Sequence, residues 1–410
     1  MSTEALSRRP RLLLLVGAAL SALALSLLVF AAVPGQTRAA AAGKAKPALG
    51  KQISLGKSRC NARRNNSAKR RQVRPAKRCQ SASKASAPVS LYWGASIGDQ
   101  LNGGQVPWDM EALSQFEGMT DKSLSLVHFM APFANCPSSG QCSYYKFPVN
   151  EMETIRRHGS IPFFSWSSQS IPSSLDEPNF QLSDVIAGTY DSYIREWATA
   201  AKEWGHPFFL RFNWEMNGNW FPWSEGVNGN GPGEYVTAWR HVHDIFTAVG
   251  ATNVTWTWCP NVDPGNKMQD IASLYPGDEY VDWASLDGYN WGTNPARPSG
   301  WKTFDQLYHS TYDRIVNSIA PGKPIVIGEV GSTEYGGSKA EWISEMLGEL
   351  PTDYPAIRGL VWFEKYDDGM DWPIETSASA TTAFADGIQS SSYVGNEFSN
   401  LGGGPISPPG

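Results

Sequence analysis

The chain has 410 residues, 41% of them apolar, and a net charge of −5, which allows one large domain with appendages and excludes a chain too short to bury its own core. The charge is divided: residues 1–86 carry 18 Lys and Arg against one acid, Glu4, leaving 16 basic and 38 acidic residues, a net of −22, from 87 onward. So acidic a body repels phosphate backbones, which excludes nucleic acid as its partner, whereas a neutral polymer meets no such penalty.

Residues 12–33, LLLLVGAALSALALSLLVFAAV, are uncharged, follow Arg8, Arg9 and Arg11, and precede the small-residue stretch AAAAG at 39–43. Segment 1–43 reads as a signal peptide or an N-terminal membrane anchor, because the run exceeds a signal core of about 7 to 15 residues and is long enough for a bilayer of about 20. Arg38, Lys44, Lys46 and Lys51 lie beyond it and compete with the first arginines, so charge alone leaves the choice open. Either way the body is expected to be secreted or extracytoplasmic. Residues 44–86, including CNARRNNSAKRRQVRPAKRC, nearly lack large apolar groups and read as a basic low-complexity linker. A solvated tether is the simpler reading, and association with anionic cell-envelope polymers is the alternative.

Five cysteines fit an oxidising compartment without making a disulfide scaffold. Cys136 and Cys142 flank NCPSSGQC and are expected to pair. Cys60 and Cys79 could form a second bridge, and Cys259 sits in an apolar run as a buried thiol. No CxxC pair suggests a structural zinc.

Residues 87–390 change character. Eight apolar, β-branched or aromatic runs recur at 90–97, 125–133, 161–167, 207–215, 253–261, 281–290, 324–331 and 357–364, each followed by a segment that can be helical. Helical spacing is clearest in DVIAGTYDSYIREWATAAKEWG, with further helices over 233–250, 304–319 and 338–350 and a short one after the fifth run. Eight alternations predict a (β/α)8 barrel with a disordered basic N-terminal extension. No G-x-G-x-x-G follows the first strand, no G-x-S-x-G elbow is present, and GVNGNGPG lacks the Walker pattern. Residues 391–410, rich in Gly, Pro and Ser, read as a flexible tail.

In such a barrel the chemistry gathers at the C-terminal ends of the strands. Glu215 ends the fourth run, in RFNWEMNGNWFPW, and Glu329 stands near the end of the seventh, in PIVIGEVG. Strand alternation places Arg211, Asn213 and Glu215 on one face, and Ile325, Ile327 and Glu329 likewise, so both carboxyls can reach one opening. Two carboxyls there suit glycosidic bond cleavage: one protonates the leaving oxygen, the other supports or attacks the sugar carbon. Aromatic rings at strand ends, from Trp93, Trp166, Trp258, Tyr289, Trp291 and Trp362, offer flat faces to sugar rings, with Asn217 or Asp287 for the hydroxyl edges. The bland reading of any one of these, a strand-end carboxylate or a core tryptophan, weakens as they accumulate at the same ends. His241 and His243 in WRHVHD lie in a helical segment and read as surface or core histidines, so no metal is expected.

The combination RFNWEMNGNWFPW, GVNGN, YVTAWRHVHDIF, SLDGYNWG, PIVIGEVGSTEYGGSKAEWI and VWFEKYDDGMDW, spanning about 90–390, resembles glycoside hydrolase family 26, the β-mannanase family of retaining (β/α)8 enzymes. The resemblance implies Glu215 as general acid/base and Glu329 as nucleophile. It also implies that Tyr289 touches the nucleophile and the sugar being cleaved, that Trp362 floors that subsite, and that Trp220 lines the cleft. Asn217 and Trp223 are candidates either for ligand contact or for stabilising their loop. Trp291 joins the substrate-binding candidates, as does Arg211, which with Asn213 could equally be a support beneath the acid. No cofactor or metal is implied, and a monomer is expected. The expected activity is endo-β-1,4-mannanase; β-glucanase or β-xylanase activity, or a noncatalytic envelope-tethered glycan-binding barrel, are the alternatives. One position departs from the family pattern, since Trp214 stands where a histidine usually precedes the acid/base.

Overall fold

The computed structural model describes residues 87–410 except 138, 139, 296 and 368. The expected signal or anchor at 1–43, the linker at 44–86 and the Cys60–Cys79 pairing lie outside the described residues. Among those described, no helix is long and apolar enough to cross a membrane.

Among the described residues ten strands occur in chain order: β1 Leu91–Ile97, β2 Leu126–Asn135, β3 Ser143–Tyr144, β4 Ile161–Ile171, β5 Phe208–Phe212, β6 Val254–Trp258, β7 Trp283–Asn290, β8 Ile325–Ser332, β9 Ile357–Glu364 and β10 Tyr393–Val394. Eight of them pair in parallel in the order β1-β9-β8-β7-β6-β5-β4-β2, and β1 pairs with β2 to close the barrel. All eight coincide with the runs read from the sequence. The helices are α1 Met110–Thr120, α2 Val149–His158, α3 Leu182–Ile186, α4 Asp191–Trp204, α5 Glu234–Val249, α6 Phe304–Arg314, α7 Lys339–Asp353 and α8 Ala378–Ile388. After β6 the helix shrinks to a 3-10 turn, Ile271–Leu274. The short β3 pairs antiparallel with β2, beside the expected bridge between Cys136 and Cys142.

Side-chain alternation splits the core into two shells. Residues facing outward meet the helices: Trp166 stacks on Trp197 of α4 at 4.3 Å, and Trp362 meets Phe384 of α8 at 5.5 Å. Inside the barrel the lower layer is apolar, made of Tyr92, Leu126, Ile161, Phe163, Phe209, Trp283, Val326 and Val361. Two or four residues further along the same strands, the interior turns polar, with Ser96, His128, Ser165, Arg211, Ser285 and Asp287 all buried.

The expected flexible tail is corrected. β10 pairs with β1, and Ile406 plugs the apolar floor, its N–H donating to Thr255 Oγ1 at 2.8 Å and its carbonyl accepting from Trp283 Nε1 at 2.7 Å. Tyr92 Oη donates to the Ser407 carbonyl at 2.9 Å. Gly and Pro content signals the absence of regular structure, but irregular backbone can still dock when it supplies an apolar side chain to an open barrel end.

Candidate active site

Glu215 lies three residues past the end of β5, not on it. Asn213 and Glu215 both adopt left-handed backbone, φ 44° and 53°, a conformation uncommon for non-glycine residues and concentrated at functional sites. The turn breaks the alternation expected from the sequence: Asn213 leaves the site and ties to β4, its Oδ1 accepting from Ser168 N and its Nδ2 donating to Ser168 Oγ, both at 2.8 Å. The Glu215 N–H donates to the Cys259 carbonyl at 2.6 Å, anchoring the acid to the end of β6.

Two donors hold the Glu215 carboxyl. Trp220 Nε1 reaches Oε2 at 2.6 Å and Asn261 Nδ2 reaches Oε1 at 2.7 Å. Gly218 makes the first possible, since a Cβ there would lie 2.5 Å from the Trp220 ring. Asn217 makes the second possible by clamping Asn261 through paired bonds, its Nδ2 to the Asn261 carbonyl at 2.9 Å and its Oδ1 to the Asn261 N–H at 2.8 Å. Burial first, and the Glu329 charge second, push the Glu215 pKa up to about 7, against the lowering effect of these two donors.

Glu329 reaches the same opening by a different irregularity. On a regular strand Glu329 would share the outward face of Ile325 and Ile327. The β7–β8 register instead steps from Leu286 opposite Ile327 to Asp287 opposite Glu329, so Gly328 is an inserted bulge residue and Glu329 turns inward. Only glycine fits, because a Cβ at 328 would lie 2.7 Å from Asp287 Oδ1 and 2.9 Å from Arg211 Nη1. Oxygens of Glu215, Asp287 and Glu329 all come within 4.8 Å of one another.

Arg211, fully buried, is the counter-ion of this group. Its Nη1 bonds Asp287 Oδ2 at 2.6 Å, its Nη2 bonds Glu329 Oε1 at 2.5 Å, and its Nε donates to Ser165 Oγ at 2.7 Å. Burial opposes the guanidinium charge, yet Asp287 and Glu329 hold its pKa well above the usual value. Below it, Nδ1 of His128 meets Ser96 Oγ and Nε2 meets Ser165 Oγ, both at 2.8 Å. Burial and the neighbouring Arg211 lower the His128 pKa well below its ordinary value, so the ring is neutral. Tyr289 Oη donates to Glu329 Oε2, and burial keeps this phenol protonated. The guanidinium also lies over the Trp214 ring, with Arg211 Cζ 4.9 Å from the ring centroid.

The substrate-facing candidates divide. Tyr289, Trp220 and Trp291 are half-buried at the opening, and Tyr289 and Trp291 meet Phe363 and Trp372 in one aromatic wall. Arg211 supports the carboxylates and, being fully buried, presents no face to a ligand. Asn217 is buried and acts through Asn261. Trp223 is fully buried, stacked on Phe221 at 4.3 Å and bonded through Nε1 to the Trp214 carbonyl at 2.7 Å, so it stabilises the loop. Trp362 does not floor the site: it points toward α7 and α8, while the next residue, Phe363, faces the opening. Trp93, Trp166 and Trp258 also belong to the outer shell, fully buried. Two site residues were missed, Asn261 and Phe363; both stand at strand ends, and the parity of β9 with Val361 on the inner face would have favoured Phe363 over Trp362.

Residues 161–331 match the model of glycosyl hydrolase family 26. Endoglucanase H of Acetivibrio thermocellus is 34% identical over 280 residues, 68% of this chain and 29% of that protein. Mannan endo-1,4-beta-mannosidase A and B of Caldalkalibacillus mannanilyticus is 30% identical over 158 residues, 37% of this chain and 27% of that protein. The chain thus spans less than a third of the length of either relative. Among solved structures, a modular endo-β-1,4-mannanase from Cellulomonas fimi shares the fold with a TM-score of 0.55 at 17% identity, over 78% of this chain and 75% of that one.

Proposed function

Since the chain belongs to glycosyl hydrolase family 26, we propose that it is a retaining endo-glycosidase of β-linked polysaccharide, with Glu215 as general acid/base and Glu329 as nucleophile. The observation that carries this reading is the approach of the two carboxyls within 4.8 Å. Oxygens that approach this closely fit the roughly 5 to 5.5 Å carboxyl separation of direct attack better than the roughly 6.5 to 9.5 Å that leaves room for a water. A Glu215 pKa of about 7 keeps the acid protonated in mildly acidic solution, as protonation of the leaving oxygen requires.

In the first step a Glu329 oxygen attacks the anomeric carbon, the glycosidic C–O bond breaks, and the Glu215 proton goes to the departing oxygen. In the second, Glu215 takes a proton from water, the water oxygen attacks the same carbon, and the ester to Glu329 breaks. Arg211 and Tyr289 orient Glu329 throughout, and Trp220 and Asn261 orient Glu215. No step draws on a cofactor.

β-Glucan stands first among substrates, supported by the long match to a protein named endoglucanase and by Trp214 in place of histidine. Mannan stands second, supported by the shorter match to a mannosidase. We further propose export, with 1–43 as signal or anchor, 44–86 as an envelope-associating linker, and a monomeric barrel; N-terminal sequencing and light scattering of protein recovered from the producing cells test these.

The decisive assay is reducing-end release from β-glucan, mannan and xylan by the wild type, Glu329→Ala and Glu215→Ala. Glu329→Ala is expected to lose at least about a thousandfold in turnover while still binding polymer. Glu215→Ala is expected to be partly rescued by azide on an activated aryl glycoside. Binding without release by the wild type would leave a noncatalytic glycan-binding barrel, and wild-type turnover in Glu329→Ala would refute the nucleophile.

A further inference from the structure

At the seam where β1 meets β9, an amide oxygen and a lysine stem pack over one glycine, and neither polar end has a hydrogen-bond partner among the described residues. The loop after β1 is sewn to the end of β9 by two bonds to the Glu364 carbonyl, one from the Gly98 N–H and one from Gln100 Nε2, both 2.9 Å. This leaves Gln100 Oε1 buried and accepting no hydrogen bond among the described residues. A Cβ on Gly98 would lie 2.7 Å from that oxygen and 3.0 Å from Lys365 Cγ, so the amide oxygen and the lysine stem share the space above Gly98. Lys365 Nζ rides 5.4 Å from the centre of the Phe363 ring. That ring meets Tyr289 edge-on at 5.5 Å, and Tyr289 donates to Glu329.

Among the described residues Lys365 has no carboxylate within 4.0 Å and no hydrogen-bond acceptor, although Glu329 is the anion that most favours its charge. A half-buried ammonium and an orphaned amide oxygen near a reacting carboxylate are costly features for a fold and useful ones for a ligand. Their position fixes which part of the ligand they meet. Glu329 is on β8, which pairs with β9, and β9 pairs in turn with β1, whereas Glu215 follows β5 on the other side of β7 and β6. The leaving oxygen must lie at Glu215, so the β9–β1 seam faces the sugar that stays on Glu329.

We propose that Lys365 and Gln100 form a hydroxyl-reading pair for the glycone sugar, Lys365 donating and Gln100 Oε1 accepting, and that this pair sets which polysaccharide is cut. A vicinal diol of a neutral sugar supplies both complements. A uronate would satisfy Lys365 but place a further carboxylate beside Glu329 and Asp287. The inference rests on the reading of Glu329 as nucleophile.

The test compares the full-length wild type with Lys365→Met, which keeps the stem over Phe363 and removes the charge. Substrates are aryl oligosaccharides of the preferred polymer and their mono-deoxy analogues, lacking one glycone hydroxyl each. For the parent substrate kcat/KM is expected to fall about 10- to 100-fold in Lys365→Met, with Lys365→Arg recovering part. One deoxy analogue is expected to suffer a comparable loss with the wild type and little further loss with Lys365→Met, a coupling that a merely structural lysine would not show. Parent-substrate kcat/KM within twofold of wild type, or equal deoxy penalties in both proteins, overturns the inference and leaves the hydrolase intact. A wild type silent on every substrate overturns both.

Discussion

Replacing Trp220 by Phe removes one N–H from the general acid and little else, since a six-membered ring still fills the space that Gly218 leaves open. The bond it deletes, 2.6 Å from indole to Glu215 Oε2, favours the ionised carboxyl. Its loss therefore raises the Glu215 pKa above its present value of about 7. A hydrogen bond to a charged group contributes about 1.5 to 3 kcal/mol, which at about 1.4 kcal/mol per pKa unit corresponds to one to two units. Trp220 is half-exposed, water replaces part of the bond, and a rise of about one unit is expected. Because the acid works protonated, rate is lost as pH rises through its pKa, so the alkaline limb of kcat/KM should move upward in Trp220→Phe. The assay is kcat/KM on the fastest-cut polysaccharide from pH 4 to 10, which reports the free enzyme. A limb that stays in place or moves to lower pH, in a variant with an unchanged unfolding midpoint, would refute Glu215 as the acid that Trp220 tunes.

Gly328→Ala would drive a methyl group against Asp287 and Arg211; a loss of about 1 to 3 kcal/mol in denaturant unfolding is expected, with kcat falling at least about tenfold, and unchanged kcat would contradict the role of the bulge. Trp362→Ala should cost about 3 to 5 kcal/mol of stability while KM stays within about twofold, because the ring packs on α8; a selective rise in KM would restore it to the subsite. The Glu215 carboxyl, with a folded value of about 7 against 4.5 ordinarily, contributes stability that is fully present below pH 4.5 and is lost as pH rises through 7. Glu215→Ala should therefore cost about 3 kcal/mol more at pH 4 than at pH 8.5, and an equal cost at both would place the carboxyl in a wetter environment than the structure gives it.

The barrel was legible because alternation of apolar runs with helical segments is a long-range pattern that survives local irregularity, and both glutamates were legible because strand ends gather chemistry. What misled was parity. A period of two carries a residue to a chosen face only while the strand is regular, and here β5 stops at Phe212 while β8 is bulged at Gly328. Glu215 and Glu329 arrive at the opening through these breaks, and Asn213 leaves it for the same reason. Trp362 and Phe363 differ by one position, which on β9 is the difference between the helix shell and the cleft. Asn261 escaped notice because its role depends on Asn217 reaching across from another loop, a contact with no signature in local spacing. The tail escaped because docking of an irregular segment depends on the shape of what receives it.

The double pairing of Arg211 bears on how the proposed reaction handles electric charge in a dry interior. In the proposed first step the attacking Glu329 brings the negative charge, Arg211 is a cation and Glu215 is neutral, while Asp287, whose pKa burial raises against the lowering effect of Arg211, takes no part in the exchange. Once the sugar is esterified to Glu329, that anion is gone and Glu215 has become one, while Arg211 still grips Asp287. The formal total is the same on both sides of the step, so the pocket requires neither an entering counter-ion nor a flood of solvent as it turns over. The negative charge merely changes address, from the oxygen that attacked to the oxygen that will next strip a proton from water, and that relocation itself withdraws the repulsion that had kept Glu215 protonated.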